Sequence, residues 1–195
     1  MASEGRGKQM PIAQAAGVVV RRWLDVEDRP AGLLPIRQIF FDASATRSFA
    51  SIEERSAFEE RWLGRYLTHD AKWFYLAIDP GGVPAGYLAG SIDDPAVTSR
   101  FDDIGYFSGL ADLTRRFPAH LHINLAPQYR SRGVGAGLIA AFVADLKSAD
   151  VPGVHVVTGR GVRNTRFYAA NGFDELRTFP WKASELVLLA RNLAG

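Results

Sequence analysis

Apolar and polar positions along this chain follow a period that changes several times. Gly17–Leu24 carries Val18-Val19-Val20 and predicts a strand rich in β-branched residues. The acidic turn Asp25–Asp28 is a start signal, and predicts a helix over Leu33–Phe41 with Pro35 in its first turn. Ser51-Ile52-Glu53-Glu54 has capping-box spacing. Behind it Phe58, Trp62 and Tyr66, with Leu63 and Leu67, mark one face of a helix that ends near His69. The period then shortens. Lys72–Asp79 and Val83–Asp93 read as strands joined by the turn Pro80-Gly81-Gly82. Arg100–Arg116 is mixed, with helical spacing in its second half. Pro118 and Pro127 bracket a strand, Ala119–Leu125, with Leu121, Ile123 and Leu125 on one side and His120, His122 and Asn124 on the other. Gly133–Ser148 is helical, Val154–Thr158 a strand, and Asn164–Ala170 a short helix closed by Asn171-Gly172. Phe173–Arg177 and Glu185–Arg191 are two further strands. The order predicts one α/β (α+β) domain over residues 16–195 with a largely antiparallel sheet, behind a loose tail over residues 1–15.

Composition narrows the chemistry. The 195 residues are 47% hydrophobic and 23% charged, ordinary globular usage. There is no cysteine, which excludes disulfides, thiolate metal ligands and a cysteine nucleophile. His and Asp spacings form no zinc set, so no metal is expected. The net charge of +2 hides a basic stretch: Leu113–Arg166 holds eight Arg or Lys against two Asp. Without an aromatic stacking ladder, that stretch does not read as a nucleic-acid surface. The apolar run Gly133–Ala144 is about a dozen residues, well short of the roughly 20 that span a bilayer. Gln9–Val20 lacks a small-residue cleavage site. No membrane partner and a cytoplasmic location are the expectations.

The basic stretch centres on Leu125-Ala126-Pro127-Gln128-Tyr129-Arg130-Ser131-Arg132-Gly133-Val134-Gly135-Ala136-Gly137. A strand ends, a short basic loop follows, and a helix begins on glycines. Unpaired amides and the positive end of the helix dipole converge there, which suits an anion. Arg130 and Arg132 add charge and donors. A Walker-type loop would need Lys-Ser or Lys-Thr where Leu138-Ile139 stands, and a dinucleotide fold a Gly-x-Gly-x-x-Gly spacing. The plain alternative is a glycine-rich helix start used for tight packing.

Arg130-Ser131-Arg132-Gly133-Val134-Gly135 resembles the Gln/Arg-x-x-Gly-x-Gly/Ala signature of the GCN5-related N-acetyltransferases, or GNAT superfamily. Pro127-Gln128-Tyr129-Arg130 is similar to that family's Pro-Glu-Tyr-Arg lead-in, with Gln for Glu. Asn164-Thr165-Arg166-Phe167-Tyr168-Ala169-Ala170-Asn171-Gly172-Phe173 is similar to its Asn-x-x-Ala-x-x-Tyr-x-x-x-Gly-Phe block, with Phe167 at the Ala position. Gly86–Asp93 and Ala119–Ile123 also resemble the acetyltransferase-like domain attached to some O-GlcNAc hydrolases. The resemblance implies a mixed, largely antiparallel sheet flanked by helices, with a splayed central strand pair. It implies acetyl-CoA as co-substrate, its pyrophosphate on Arg130, Arg132, Gly133, Val134, Gly135 and Ala136. The pantetheine arm would then lie along Asn124, Leu125 and Ala126, with Asn164 beside it.

The implied reaction is acetyl transfer to a primary amine; a small molecule is the expected acceptor, with an aminoglycoside, an amino acid and a protein lysine left open. Lacking cysteine, the chain cannot form an acyl-cysteine, so the amine would attack acetyl-CoA directly. Tyr168 matches the family tyrosine and is the expected acid, since a phenol with pKa near 10 keeps its proton at neutral pH. His120 and His122 are candidate bases, the Ala-His-Leu-His run being similar to that of serotonin N-acetyltransferase; Asp93 is a third. An acyl-CoA-binding module without catalysis is the alternative. A homodimer is left open.

Overall fold

The computed structural model describes residues 13–15, 17–161 and 163–194. Its eight strands form one sheet in the order β1-β2-β3-β4-β5-β6-β8-β7. They are β1 (Ala13–Ala15), β2 (Val18–Arg22), β3 (Phe74–Ile78), β4 (Pro84–Ser91), β5 (Ala119–Leu125), β6 (Gly153–Gly159), β7 (Asp174–Trp181) and β8 (Ser184–Asn192). Every neighbouring pair is antiparallel except β5 and β6. The mixed, largely antiparallel sheet expected from the sequence is therefore present. Residues 1–12 of the expected tail lie outside the described residues. Ala13–Ala15 do not continue it: they pair with Val18–Val20 across a turn at Gly17 (φ +75°).

Helix α1 (Arg29–Ala43) starts four residues before the sequence expectation. Asp28 Oδ1 accepts from the Ala31 amide at 3.2 Å and sets the start, so Pro35 lies inside the helix rather than in its first turn. Burial of Ile36, Ile39 and Phe40 against the sheet holds the helix across that break. Helix α2 (Ile52–Glu59) begins at the Ser51 cap, whose Oγ accepts from the Glu54 amide. It runs through a π-helical turn, Glu60–Gly64, into α3 (Arg65–His69).

The sheet separates two apolar layers. On one face α5 (Val134–Ser148) and α6 (Arg163–Ala170) bury Leu138, Ile139, Phe142, Leu146 and Tyr168 against Val20, Tyr75, Leu88, Leu121 and Val156. Asp145 accepts two bonds from Arg22 (2.8 and 2.6 Å) and one from the Tyr75 hydroxyl (2.6 Å), which locks α5 across β2 and β3. On the other face α1 to α3 pack with Phe74, Tyr87 and Ala89. The segment from Ile92 to Pro118, which includes the short helix α4 (Ala111–Thr114), adds Phe101, Ile104, Phe107 and Leu110 to that layer.

Gly86 on β4 faces Leu125 on β5. A Cβ there would strike Leu125 Cδ2 and come within 2.7 Å of the Asn124 carbonyl oxygen. Backbone cannot yield as a side-chain tip can. Gly86→Ala is expected to cost about 1–3 kcal/mol, measured by urea unfolding; an unchanged midpoint would show that β4 and β5 tolerate the methyl.

Candidate active site

β4 and β5 stay paired from Ser91↔His120 to Gly86↔Leu125. β6 stays paired with β8 to Gly159↔Leu186. Between β5 and β6, however, the ladder consists of Ala119↔Val154 and His120↔His155 alone. From His122 onward the two central strands part, and the opening lies at the C-terminal end of β5.

Strand alternation decides which backbone groups face that opening. The Ala126 amide donates to the Ala85 carbonyl (2.9 Å), toward β4, and the Ala126 carbonyl accepts from the Tyr129 amide (3.0 Å). Two residues back, Asn124 points its backbone the same way, and its side-chain amide donates to the Tyr87 hydroxyl at 2.7 Å. Leu125 alone of the three turns its amide and carbonyl into the split. The sequence expectation named three consecutive residues, but successive residues of a strand point in opposite directions. Arg130 is exposed, and its Nε donates to the Leu125 carbonyl at 3.0 Å.

Beyond Leu125 the chain makes one turn, Pro127–Tyr129, and enters α5 through Gly133 in the left-handed region (φ +80°). The first helical bond runs from the Gly137 amide to the Gly133 carbonyl, so the amides of Val134, Gly135 and Ala136 precede it. Arg132 is exposed beside them. Gly135 is buried, and a Cβ on it would meet Phe167 Cζ at 2.9 Å. Packing is thus one reason for this glycine, joining α5 to α6. The helix start itself, with its unpaired amides, the positive end of its dipole and Arg132 just ahead of Gly133, suits a phosphate-bearing ligand. Asn164 is exposed in the first turn of α6.

The candidate bases separate sharply. His120 is 3% exposed, and neither ring nitrogen has a partner in hydrogen-bond geometry among the described residues. Phe101 and Phe107 pack on it with centroids at 4.8 and 6.0 Å. Burial, then His155 and His122, hold its pKa well below the usual histidine value. The expected polar side of β5 is therefore sealed by aromatic rings at His120. Asp93 lies beyond the opposite end of β4 from Gly86 and is ion-paired with Arg100 at 2.9 Å. Arg100 also binds Asp70 (2.9 Å) and Ser91 (3.2 Å). Asp103 is held by Arg61 and Arg65, and Asp112 by Arg177. Asp93, Asp103 and Asp112 thus hold the protein's own arginines.

His122 is different. It is half-buried where the strands part, with its Nε2 3.0 Å from the Tyr66 hydroxyl. Burial, then His155 and Arg65, lower its pKa to about 4, so it is neutral at physiological pH. Tyr168 is 4% exposed, its ring between Phe167 and Phe173 (5.3 and 5.7 Å). Burial raises its pKa, which keeps the phenol protonated. Among the described residues no three or more His, Cys, Asp or Glu come together as metal ligands.

The Acetyltransferase (GNAT) family model matches residues 35–173. The chain belongs to this family. The solved structure named SsHAT superposes with a TM-score of 0.69 at 21% identity, over 92% of this chain and 100% of the other. An N-acetyltransferase from Staphylococcus aureus Mu50 gives 0.62 at 13% identity, over 91% and 99%. A GNAT phosphinothricin acetyltransferase from Sinorhizobium meliloti, solved with AcCoA, gives 0.59 at 17% identity, over 90% and 88%. This GNAT protein is an acyltransferase that uses acetyl-CoA.

Two features had no separate signal in the sequence. Tyr66 stood out only as a helix-face residue, and its partner His122 is 56 positions away. Arg100, which gathers Asp70, Ser91 and Asp93, lay in a stretch without a clear period.

Proposed function

We propose that this protein transfers the acetyl group of acetyl-CoA directly to the primary amine of a small molecule. The observation that carries the reading is the two-residue β5–β6 ladder, which opens the sheet at Leu125 and His122 directly before the amides of α5. When bound, acetyl-CoA supplies the thioester that the amine attacks. Val134, Gly135 and Ala136 offer amides to its pyrophosphate, with Arg130 and Arg132 neutralising charge. Leu125 offers its amide to the pantetheine arm, its carbonyl being held by Arg130, and Asn164 stands at the neighbouring helix start. His122 is the candidate side chain that meets the reactants, and Tyr168 holds the proton that the departing thiolate takes. With no cysteine in the chain, an acyl-cysteine route is absent.

A small acceptor is favoured by what covers the far side. Tyr106 packs edge-on against Trp181 (5.3 Å) and near Phe179 (5.9 Å), and Arg177 ties β7 to Asp112. These contacts hold the segment after β4 against β7 and keep that side of the sheet covered, which supports a small acceptor.

Titration calorimetry with acetyl-CoA, together with a thiol-release assay over a panel of small primary amines, tests the proposal. Binding with turnover on a member of the panel supports it. Binding without turnover on any amine, peptides included, would leave an acyl-CoA-binding module. Arg132→Ala is expected to weaken acetyl-CoA binding about fivefold, the worth of one exposed charge contact. Unchanged affinity would remove Arg132 from the site.

A further inference from the structure

Tyr66 and His122 form a hydrogen bond that can be drawn in two directions, and the direction decides what His122 can do. Tyr66 is fully buried, whereas His122 is half-buried. Their contact, hydroxyl to Nε2 at 3.0 Å, is framed by rings: Trp62 lies edge-on to His122 at 5.1 Å and Tyr66 at 5.4 Å. Trp62 belongs to the π-helical turn Glu60–Gly64 and Tyr66 to α3, so the wider winding just before α3 sits against this pair.

We propose that Tyr66 is a positioning residue: it donates its hydroxyl proton to His122 Nε2 and holds the ring as the Nδ1–H tautomer, so that the nitrogen left to the cleft is a donor. This rests on the reading that His122 meets the reactants. Hydrogen-bond accounting sets the direction. If Nε2–H donated to Tyr66, the buried hydroxyl proton would need a second acceptor, and His122 is its hydrogen-bond partner among the described residues. With Tyr66 donating, the hydroxyl is satisfied, and the proton of the half-buried ring sits on Nδ1. Burial, followed by Tyr106, raises the Tyr66 pKa against the pull of Arg65 and Arg100, so the proton stays on Tyr66. Arg65 from α3, His155 from β6 and His120 on the same strand all oppose a positive charge on His122.

The consequence is that His122 does not take the proton of the acceptor ammonium. The amine loses that proton to solvent water before it attacks, and Nδ1–H is free to hold an oxygen of the reacting carbonyl.

The direct test is long-range proton–nitrogen correlation spectroscopy of the full-length protein, with His122 assigned by mutation. The wild type is expected to show Nε2 as the lone-pair nitrogen. The Nε2–H tautomer would overturn the proposal. Tyr66→Phe removes a donor that favours the neutral ring, so the His122 titration should rise from about 4 by about one pH unit. An unchanged or lower midpoint would overturn it. Kinetics give a separate arm. His122→Ala should lower turnover about 100-fold, while His122→Gln, which keeps an N–H donor, should retain about a tenth of the wild-type rate or more. Equal losses would overturn the donor role. If His122→Ala leaves turnover intact, the reading that His122 meets the reactants fails, and the spectra still decide what Tyr66 does.

Discussion

Lowering the pH from 7 to about 4 is expected to weaken the fold by about 3 kcal/mol, ahead of the loss of its ion-paired carboxylates. The source is the row of neutral histidines beneath the segment after β4. His155 is 1% exposed, its Nδ1 2.6 Å from the Phe117 carbonyl and its Nε2 without a partner among the described residues. Burial lowers its pKa to about 4 against the 6.5 of an unfolded chain. A group with a depressed folded pKa of this kind binds its proton more readily when unfolded. Its stabilisation is whole above pH 6.5, falls as the pH drops toward 4, and is level below that. His120 acts in the same direction, and so does His122, which being half-buried contributes less than its shift alone implies. The three rings repel one another when charged, so their contributions do not add.

The carboxylates follow in a lower window. Asp145, Asp103 and Asp112 are held below the usual value by Arg22, by Arg65 with Arg61, and by Arg177. Their contribution persists above the unfolded value and disappears as the pH falls through the folded one. Asp70 runs the other way, since burial raises its pKa and partial protonation relieves it. Urea titrations at pH 7.5, 6, 5 and 4.5 should move the midpoint down by about 1–2 M. His155→Leu should flatten part of that slope, although it leaves the Phe117 carbonyl unpaired at every pH. A midpoint constant between pH 7.5 and 5 would show that the histidines do not remain neutral in the fold.

The same histidines show what a one-dimensional pattern can and cannot carry. Strand β5 was legible to the residue, because Pro118 and Pro127 bracket it and Leu121, Ile123 and Leu125 alternate with polar partners. The alternation reads as one wet face and one dry one. Both faces are covered, since Phe101 and Phe107 arrive over His120 from a segment without a period of its own. The start of α5 was equally legible, because glycines and arginines at a helix start are a local signal. Backbone direction at Ala126 was not: it depends on the register Gly86↔Leu125, set by two strands far apart in the chain. α1 was misplaced for a local reason, Asp28 capping ahead of the first apolar stripe. Local devices announce themselves, whereas the Tyr66–His122 bond and the Arg100 hub exist only once tertiary packing has brought separate segments together.

Tyr168→Phe is expected to lower turnover about 100-fold while leaving acetyl-CoA affinity within about twofold. The substitution removes one oxygen and keeps the ring that packs between Phe167 and Phe173, so α6 should stay docked against Gly135. What is lost is a proton. A thiolate with a conjugate acid near pKa 8.5 leaves more readily when an acid stands beside it, and a phenol is a suitable donor because it remains protonated at neutral pH. Burial strengthens that property, because it raises the Tyr168 pKa and carries the phenolate form further out of reach. The wild-type rate should therefore show no alkaline decline through pH 9, where an unburied phenol would begin to lose its proton. Single-turnover thiol release read beside calorimetric affinity separates the two effects. Equal turnover in Tyr168→Phe and wild type would assign the acid to water, and reduced affinity at equal turnover would make Tyr168 a packing residue of the coenzyme cleft.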